Sequence, residues 1–132
     1  MKRILLLFFS IALVFSGDST IAADDQVQIC ALNKAFECAP DTGCIELSIA
    51  EMALPRFIRI DQKAKTLESL DKNVERQTTK ISTITKLEEM TILQGTEQRG
   101  WSIALGKESG NFMLSIAGEG EGFVVFGFCM KP

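Results

Sequence analysis

Gly100-Trp101-Ser102-Ile103-Ala104-Leu105-Gly106-Lys107-Glu108-Ser109-Gly110-Asn111-Phe112-Met113-Leu114-Ser115-Ile116 is the stretch that decides the fold class. Trp101, Ile103 and Leu105 alternate with Ser102 and Ala104. Successive side chains of a strand point to opposite faces, so the three large groups share one face. The polar, glycine-bearing segment Gly106 to Asn111 turns the chain, and Phe112, Leu114 and Ile116 then repeat the period of two. Two such runs around a polar glycine-containing turn form a β-hairpin.

The same alternation extends in both directions. Gly118-Glu119-Gly120-Glu121-Gly122 makes another turn, its glycines supplying the positive φ that a hairpin turn demands. Phe123 to Phe128 follows, apolar at nearly every position. A strand of that composition is expected to be covered on both faces, in the middle of a sheet or in a closed barrel packed by another layer. Upstream lie Phe57 to Ile60, the polar turn Asp61 to Lys65, Thr66 to Leu70, the loop Asp71 to Gln77, the Thr- and Ile-rich run Thr78 to Thr85, and Met90 to Gln94 ended by Gly95. Short β-rich runs at roughly ten-residue spacing describe an antiparallel meander. The N-terminal third is less regular. Val27 to Ala31 and Cys44 to Ile49 read as strands, while Ser48 to Leu54 reads alternatively as a short helix stopped by Pro55. The expected fold is all-β, a small antiparallel barrel or sandwich.

Lys2 and Arg3 precede the apolar run Ile4 to Phe15, twelve residues broken only by the hydroxyl of Ser10. A membrane-spanning helix needs roughly 20 apolar residues and a secretory core about 7–15, so length favours a cleavable signal peptide. Small residues at Thr20 and Ala22 favour a cut after Ala22, with Ala23, which would put the bulkier Ile21 at a specificity position, as the alternative. This divides the chain into a leader, residues 1–23, and one domain, residues 24–132. No stable membrane insertion is expected after cleavage. Cys30 follows Val27-Gln28-Ile29, where a lipoprotein needs small residues, so a lipid anchor is not expected.

Four cysteines in a short exported chain read as a disulfide framework. The spacings, seven residues from Cys30 to Cys38, five from Cys38 to Cys44, and Cys129 far downstream, do not match the close pairs of a zinc site. Pro40, Asp41 and Gly43 make a turn between Cys38 and Cys44. Of three possible connectivities, the favoured one joins Cys38 to Cys44 and Cys30 to Cys129.

Without Lys2, Arg3 and Asp18 the chain keeps 12 basic and 16 acidic residues, a net charge of −4, with the cations scattered along it. That is the opposite of a nucleic-acid footprint or of adhesion to anionic lipid. The chain has no His and no Tyr, which removes histidine-dependent triads and His-ligated metal sites. Four paired cysteines leave no thiolate nucleophile. Glu88-Glu89 and Glu119/Glu121 fall short of the carboxylate density of a calcium loop. The glycine run 118–122 lacks the Lys and Ser/Thr of a phosphate loop. No catalytic residue, cofactor or metal ligand is assigned. The most individual segment is Leu93 to Ser102, which carries the sole Trp. Glu97, Arg99 and Trp101 form its candidate binding surface, because Trp and Arg dominate binding hot spots. The competing reading makes Trp101 a core residue whose indole reaches a loop carbonyl, with Glu97 and Arg99 as a surface pair.

Glu37-Cys38, Gly43-Cys44, Pro55-x-Phe57-x-x-Ile60-Asp61, Leu93-Gln94-Gly95-x-Glu97, Gly100-Trp101-Ser102 and Phe123-Val124-Val125-Phe126-Gly127-x-Cys129 together resemble a group of short, exported, uncharacterised proteobacterial proteins. The resemblance covers nearly the whole chain after the leader and implies export and a β fold; no activity, ligand or catalytic residue comes with it. The layout is also similar, at fold level alone, to small periplasmic β-barrel inhibitors of lysozyme. The Ser- and Lys-bearing loop of those inhibitors is not placed here residue by residue.

These readings lead to a periplasmic or secreted, non-catalytic domain that binds an envelope protein or a small apolar ligand. An inhibitor or structural partner of a cell-wall hydrolase, and a hydrolase working through carboxylates, are the alternatives.

Overall fold

A computed structural model describes residues 26–75 and 77–131. The leader read over residues 1–23 lies outside them. The described chain contains ten strands: β1 (Val27–Ala39), β2 (Gly43–Leu47), β3 (Phe57–Asp61), β4 (Thr66–Ser69), β5 (Thr78–Lys80), β6 (Thr83–Lys86), β7 (Met90–Gly95), β8 (Gly100–Gly106), β9 (Asn111–Ala117) and β10 (Gly122–Met130). They form one sheet in the order β5-β4-β3-β1-β10-β9-β8-β7-β6, with β2 added to β1. Every pairing is antiparallel. The expected all-β meander is therefore present, as one sheet curled into a half-barrel.

The curl follows from how the chain passes between the sheet's two edges. The end strands β5 and β6 are consecutive, joined by Ile81 and Ser82. The Ile81 N–H donates to the Lys65 carbonyl (2.9 Å) and the Ser82 N–H to the Gln94 carbonyl (2.7 Å), so the link is tied to both edges. Its Ile81 side chain is buried against the interior. Thr78 to Thr85, read from sequence as one strand, is two strands, because the chain changes partner from β4 to β7 there.

β1 is longer than the expected Val27 to Ala31. Its first half pairs β3 and its last residues pair β2, while β10 runs along its other side. A β-bulge at Asn33, between the pairs Leu32↔Gly127 and Lys34↔Phe126, joins the halves. Polar Asn33 and Lys34 hid that continuity in the sequence. β10 sits centrally between β1 and β9, as expected. Coverage of both its faces does not hold: Val125 and Cys129 are buried inside, but Phe126 and Phe128 are 40% and 46% exposed. All ten strands belong to a single sheet, so among the described residues no second layer packs outside β10.

Ser48 to Leu54 is not a helix. It is a single turn stopped at both ends. Ser48 Oγ accepts from the Glu51 N–H (3.1 Å) and Glu51 Oε2 accepts from the Ser48 N–H (2.7 Å), a reciprocal capping box. The Leu54 N–H reaches back to the Ile49 carbonyl (3.1 Å) and the Ala53 N–H to the Ala50 carbonyl (3.0 Å), a C-terminal cap with Ala53 left-handed at φ 52°. Those caps and Pro55 leave no room for a second turn. Ile49, Met52 and Leu54 pack from this turn onto the core.

Both disulfides follow the favoured connectivity, Cys30–Cys129 and Cys38–Cys44. The cysteines of the first are buried and belong to the same hydrophobic core as Ile60, Leu93, Leu105 and Phe112.

Candidate functional site

Inward positions on the strands build the core but leave a hollow beside Trp101. Along β8, Leu105 and Ile103 are fully buried, whereas Trp101, two residues nearer the loop end, is only half-buried. Around it opens a cavity of about 300 Å³. Its walls are inner-face side chains, among them Leu32 of β1, Ile58 of β3, Leu67 of β4, Ile103 of β8, and Leu114 and Ile116 of β9. The capped turn at Ala53 to Pro55, Val74 and Gln77 of the loop after β4, and the β7–β8 loop at Glu97 to Arg99 surround the mouth. Small-molecule sites span roughly 300–1,000 Å³ and are mainly apolar with a few polar groups, and this cavity lies at the small end of that range.

The three residues singled out from sequence, Glu97, Arg99 and Trp101, are brought together in its lining. Trp101 faces Gly95 across the β7–β8 ladder. The indole lies directly on that glycine: a Cβ added at Gly95 would stand 2.2 Å from Trp101 Cζ2. Absence of a side chain at Gly95 is what lets the ring fold flat and serve as wall. The indole Nε1 is buried with no hydrogen-bond partner among the described residues. Trp101 packs against the core, as the core reading holds, but its N–H meets no loop carbonyl among the described residues. The ring is a half-buried wall with an orphaned donor.

Glu97 and Arg99 flank a tight turn in which the Arg99 N–H donates to the Glu97 carbonyl (2.7 Å) and Gln98 adopts a left-handed φ of 59°. A non-glycine residue there costs roughly 1–2 kcal/mol, and such strain gathers at ligand clamps. Ala53, the other left-handed residue of the mouth, stands in the opposite rim. Arg99 reaches Glu121 (2.9 Å) and lies over the Phe123 ring, 5.3 Å from its centroid. Glu68, also in the lining, is paired with Arg59 (3.3 Å). These pairs offset two of the three ionic groups of the lining, and its walls are mainly apolar, so the cavity suits an uncharged, apolar guest better than an ion.

Of the glycines in the 118–122 turn, only Gly120 takes a positive φ, 78°, and the Gly118 N–H closes the turn on the Glu121 carbonyl (2.9 Å). The turn thereby delivers Glu121 to Arg99. Among the described residues no group of three or more His, Cys, Asp or Glu side chains is placed to hold a metal ion. Two carboxyls sit below their ordinary range, both away from the cavity lining. Glu51 is lowered by its side-chain and backbone hydrogen bonds with Ser48. Asp61 is lowered chiefly by the Ala64 N–H, opposed by partial desolvation, with Arg59 adding to the lowering.

Sequence reasoning missed most of the lining. Leu32, Ile58, Leu67, Leu114 and Ile116 carry the signal in their inward alternation, but that pattern alone does not distinguish a filled core from a hollow one. No protein-family model, curated protein or solved structure matches this chain.

Proposed function

We propose that the protein is an exported, non-catalytic domain that holds a small, uncharged apolar molecule in the mouth of its half-barrel. The observation carrying this reading is the cavity of about 300 Å³ walled by Leu32, Ile58, Leu67, Leu114, Ile116 and the sole Trp. Export is supported by the Lys2-Arg3 apolar-run pattern and by two disulfides of the kind that oxidising compartments maintain. A guest with a chain of about ten carbons gains roughly 0.8 kcal/mol per buried methylene, about 8 kcal/mol in all. Association costs remove several kcal/mol of that, which places the dissociation constant between about micromolar and millimolar.

Trp101 is a built-in reporter. Titrating the mature protein with neutral amphiphiles of increasing chain length should shift its emission saturably, with affinity rising with length and then levelling when the cavity is full. Leu114→Phe, which fills the cavity from its wall, should weaken binding while keeping the fold. An emission that never responds, together with a melting temperature unchanged by any of these compounds, would sink the proposal, because a ligand that binds only the native state must raise the melting temperature.

A further inference from the structure

The outer face of the sheet carries a second concavity, unrelated to the mouth cavity. Ala104 of β8 lies opposite Met113 of β9, and Met113 lies opposite Phe126 of β10. Their neighbours Ile103, Leu105 and Val125 point inward and are buried, so these three face out. With Met90 at the start of β7 they floor a groove of about 940 Å³. Met90, Met113 and Phe126 are 37%, 39% and 40% exposed, although each lies in a paired strand of the sheet. The β1 bulge places Asn33 on the groove's border.

The rim above this floor is acidic. The β6–β7 and β8–β9 turns are bound together by the Lys107 N–H donating to the Glu89 carbonyl (3.0 Å) and by the Lys107 ammonium donating to the Leu87 carbonyl. That junction gathers Glu88, Glu89 and Glu108 on one side of the groove. All three are exposed, and among the described residues no ion pair engages them. Lys107 also lines the groove and keeps its charge while donating to the Leu87 carbonyl, so three carboxylates stand there against one ammonium; Lys34, the β1 neighbour of Phe126, pairs with Glu46 (3.8 Å), and Lys86, the last residue of β6, stands outside the lining. A net-negative rim beside an apolar floor disfavours anionic lipid and attracts a chain that carries apolar and cationic side chains together. Methionine on the floor adapts to varied side chains, a property of surfaces that receive amphipathic peptides.

We infer that this outer groove docks a cationic amphipathic segment of a partner polypeptide. Large apolar side chains of the segment sit on Met90, Met113 and Phe126, and its Lys or Arg side chains face Glu88, Glu89 and Glu108.

Three labelled peptides of equal length test this by fluorescence anisotropy on the mature, oxidised protein: a Lys/Leu amphipathic sequence, its Glu/Leu counterpart, and a Lys/Ser sequence of the same charge. The Lys/Leu peptide should bind at least about tenfold tighter than either of the others. The combined variant Glu88→Gln, Glu89→Gln, Glu108→Gln should weaken it by about tenfold and remove most of its salt dependence. Met113→Ser should weaken it at unchanged salt dependence. Glu75→Gln with Glu119→Gln, away from the groove, should leave it unchanged, and melting curves confirm that each variant is folded. The inference is overturned if Lys/Ser binds as well as Lys/Leu, if the triple variant binds normally, or if the distant pair matters as much. Capture by phosphatidylglycerol vesicles that depends on Met113 would make the face a membrane surface. A dimer in sedimentation that Met113→Ser dissolves would make it a contact between copies. Either result also overturns the inference.

Discussion

Cys30 and Cys129 stand directly opposite each other on β1 and β10, their Cα atoms 3.9 Å apart although their sequence separation is 99. The bond therefore ties the first strand to the last within the hydrophobic core. The second bond, Cys38–Cys44, spans a separation of 6. In the chain-entropy account a closed loop of about 100 residues stabilises by roughly 5 kcal/mol and one under ten residues by about 2. Replacing Cys30 and Cys129 together by alanine should lower the melting temperature substantially more than replacing Cys38 and Cys44 together. Calorimetry of the two double variants reads the order, and a reversal would show that the long loop is not the stronger constraint.

The orphaned indole nitrogen of Trp101 makes two substitutions diverge. Trp→Ala changes in cores cost about 3–5 kcal/mol; Trp101 is half-buried, so about 2–4 kcal/mol is expected. Trp101→Phe keeps most of the packing and removes a buried donor that has no partner among the described residues. A buried unsatisfied donor costs about 1–3 kcal/mol, so phenylalanine should be neutral or stabilising despite its smaller size. Chemical denaturation of both variants checks this. A phenylalanine variant as damaged as the alanine one would mean that the nitrogen is in fact satisfied.

Asp61 should contribute to the loss of stability in acid. Its folded carboxyl is held below the ordinary range, chiefly by the Ala64 N–H (2.8 Å) and further by Arg59 (3.2 Å). A group with a depressed folded pKa binds fewer protons in the native state, so its stabilisation is complete above the unfolded pKa, about 4, and is lost as pH falls through the folded value. Glu51 acts in the same direction through Ser48. Stability should fall with decreasing pH below about 4, and Asp61→Asn should be less stable near neutrality yet show a shallower acid slope. Melting temperatures of the two proteins across that window provide the comparison, and parallel curves would rule the contribution out.

The sequence made the strands legible wherever one face is wet and one dry. Trp101, Ile103 and Leu105 against Phe112, Leu114 and Ile116 gave the β8–β9 hairpin, and the turn at Pro40 to Gly43 gave the shorter disulfide. What stayed hidden is set by tertiary partners. Ile81 and Ser82 look like the middle of a strand, because only the curl of the sheet makes them a link between edges. Phe126 and Phe128 look like core residues, since hydrophobicity does not reveal that no second layer packs outside β10 among the described residues. The candidate site was half visible: Glu97, Arg99 and Trp101 stood out chemically, but the Ala53 and Val74 sides of its rim come from segments that approach only in the folded chain.

Ala53 offers the most direct test of how the cavity rim is built. It ends the capped turn in the left-handed region at φ 52°, with its N–H bonded to the Ala50 carbonyl and that of Leu54 to the Ile49 carbonyl. This is the position that helix-ending caps usually give to glycine, because a Cβ there crowds the following carbonyl. Ala53→Gly relieves roughly 1 kcal/mol or more of that crowding but increases the freedom of the unfolded chain by about 0.4–1 kcal/mol. The side chain is exposed, so no packing is lost. The net effect should be a small gain, about 0.5 kcal/mol. Ala53→Val, which adds β-branching at the same φ, should instead destabilise by more than about 1 kcal/mol and loosen the rim. Denaturation midpoints of the pair give the sign, and affinity for a neutral amphiphile measured on both shows whether a strained rim holds the mouth in shape. Equal midpoints for glycine and valine would mean that the turn at Ala53 is not left-handed in solution.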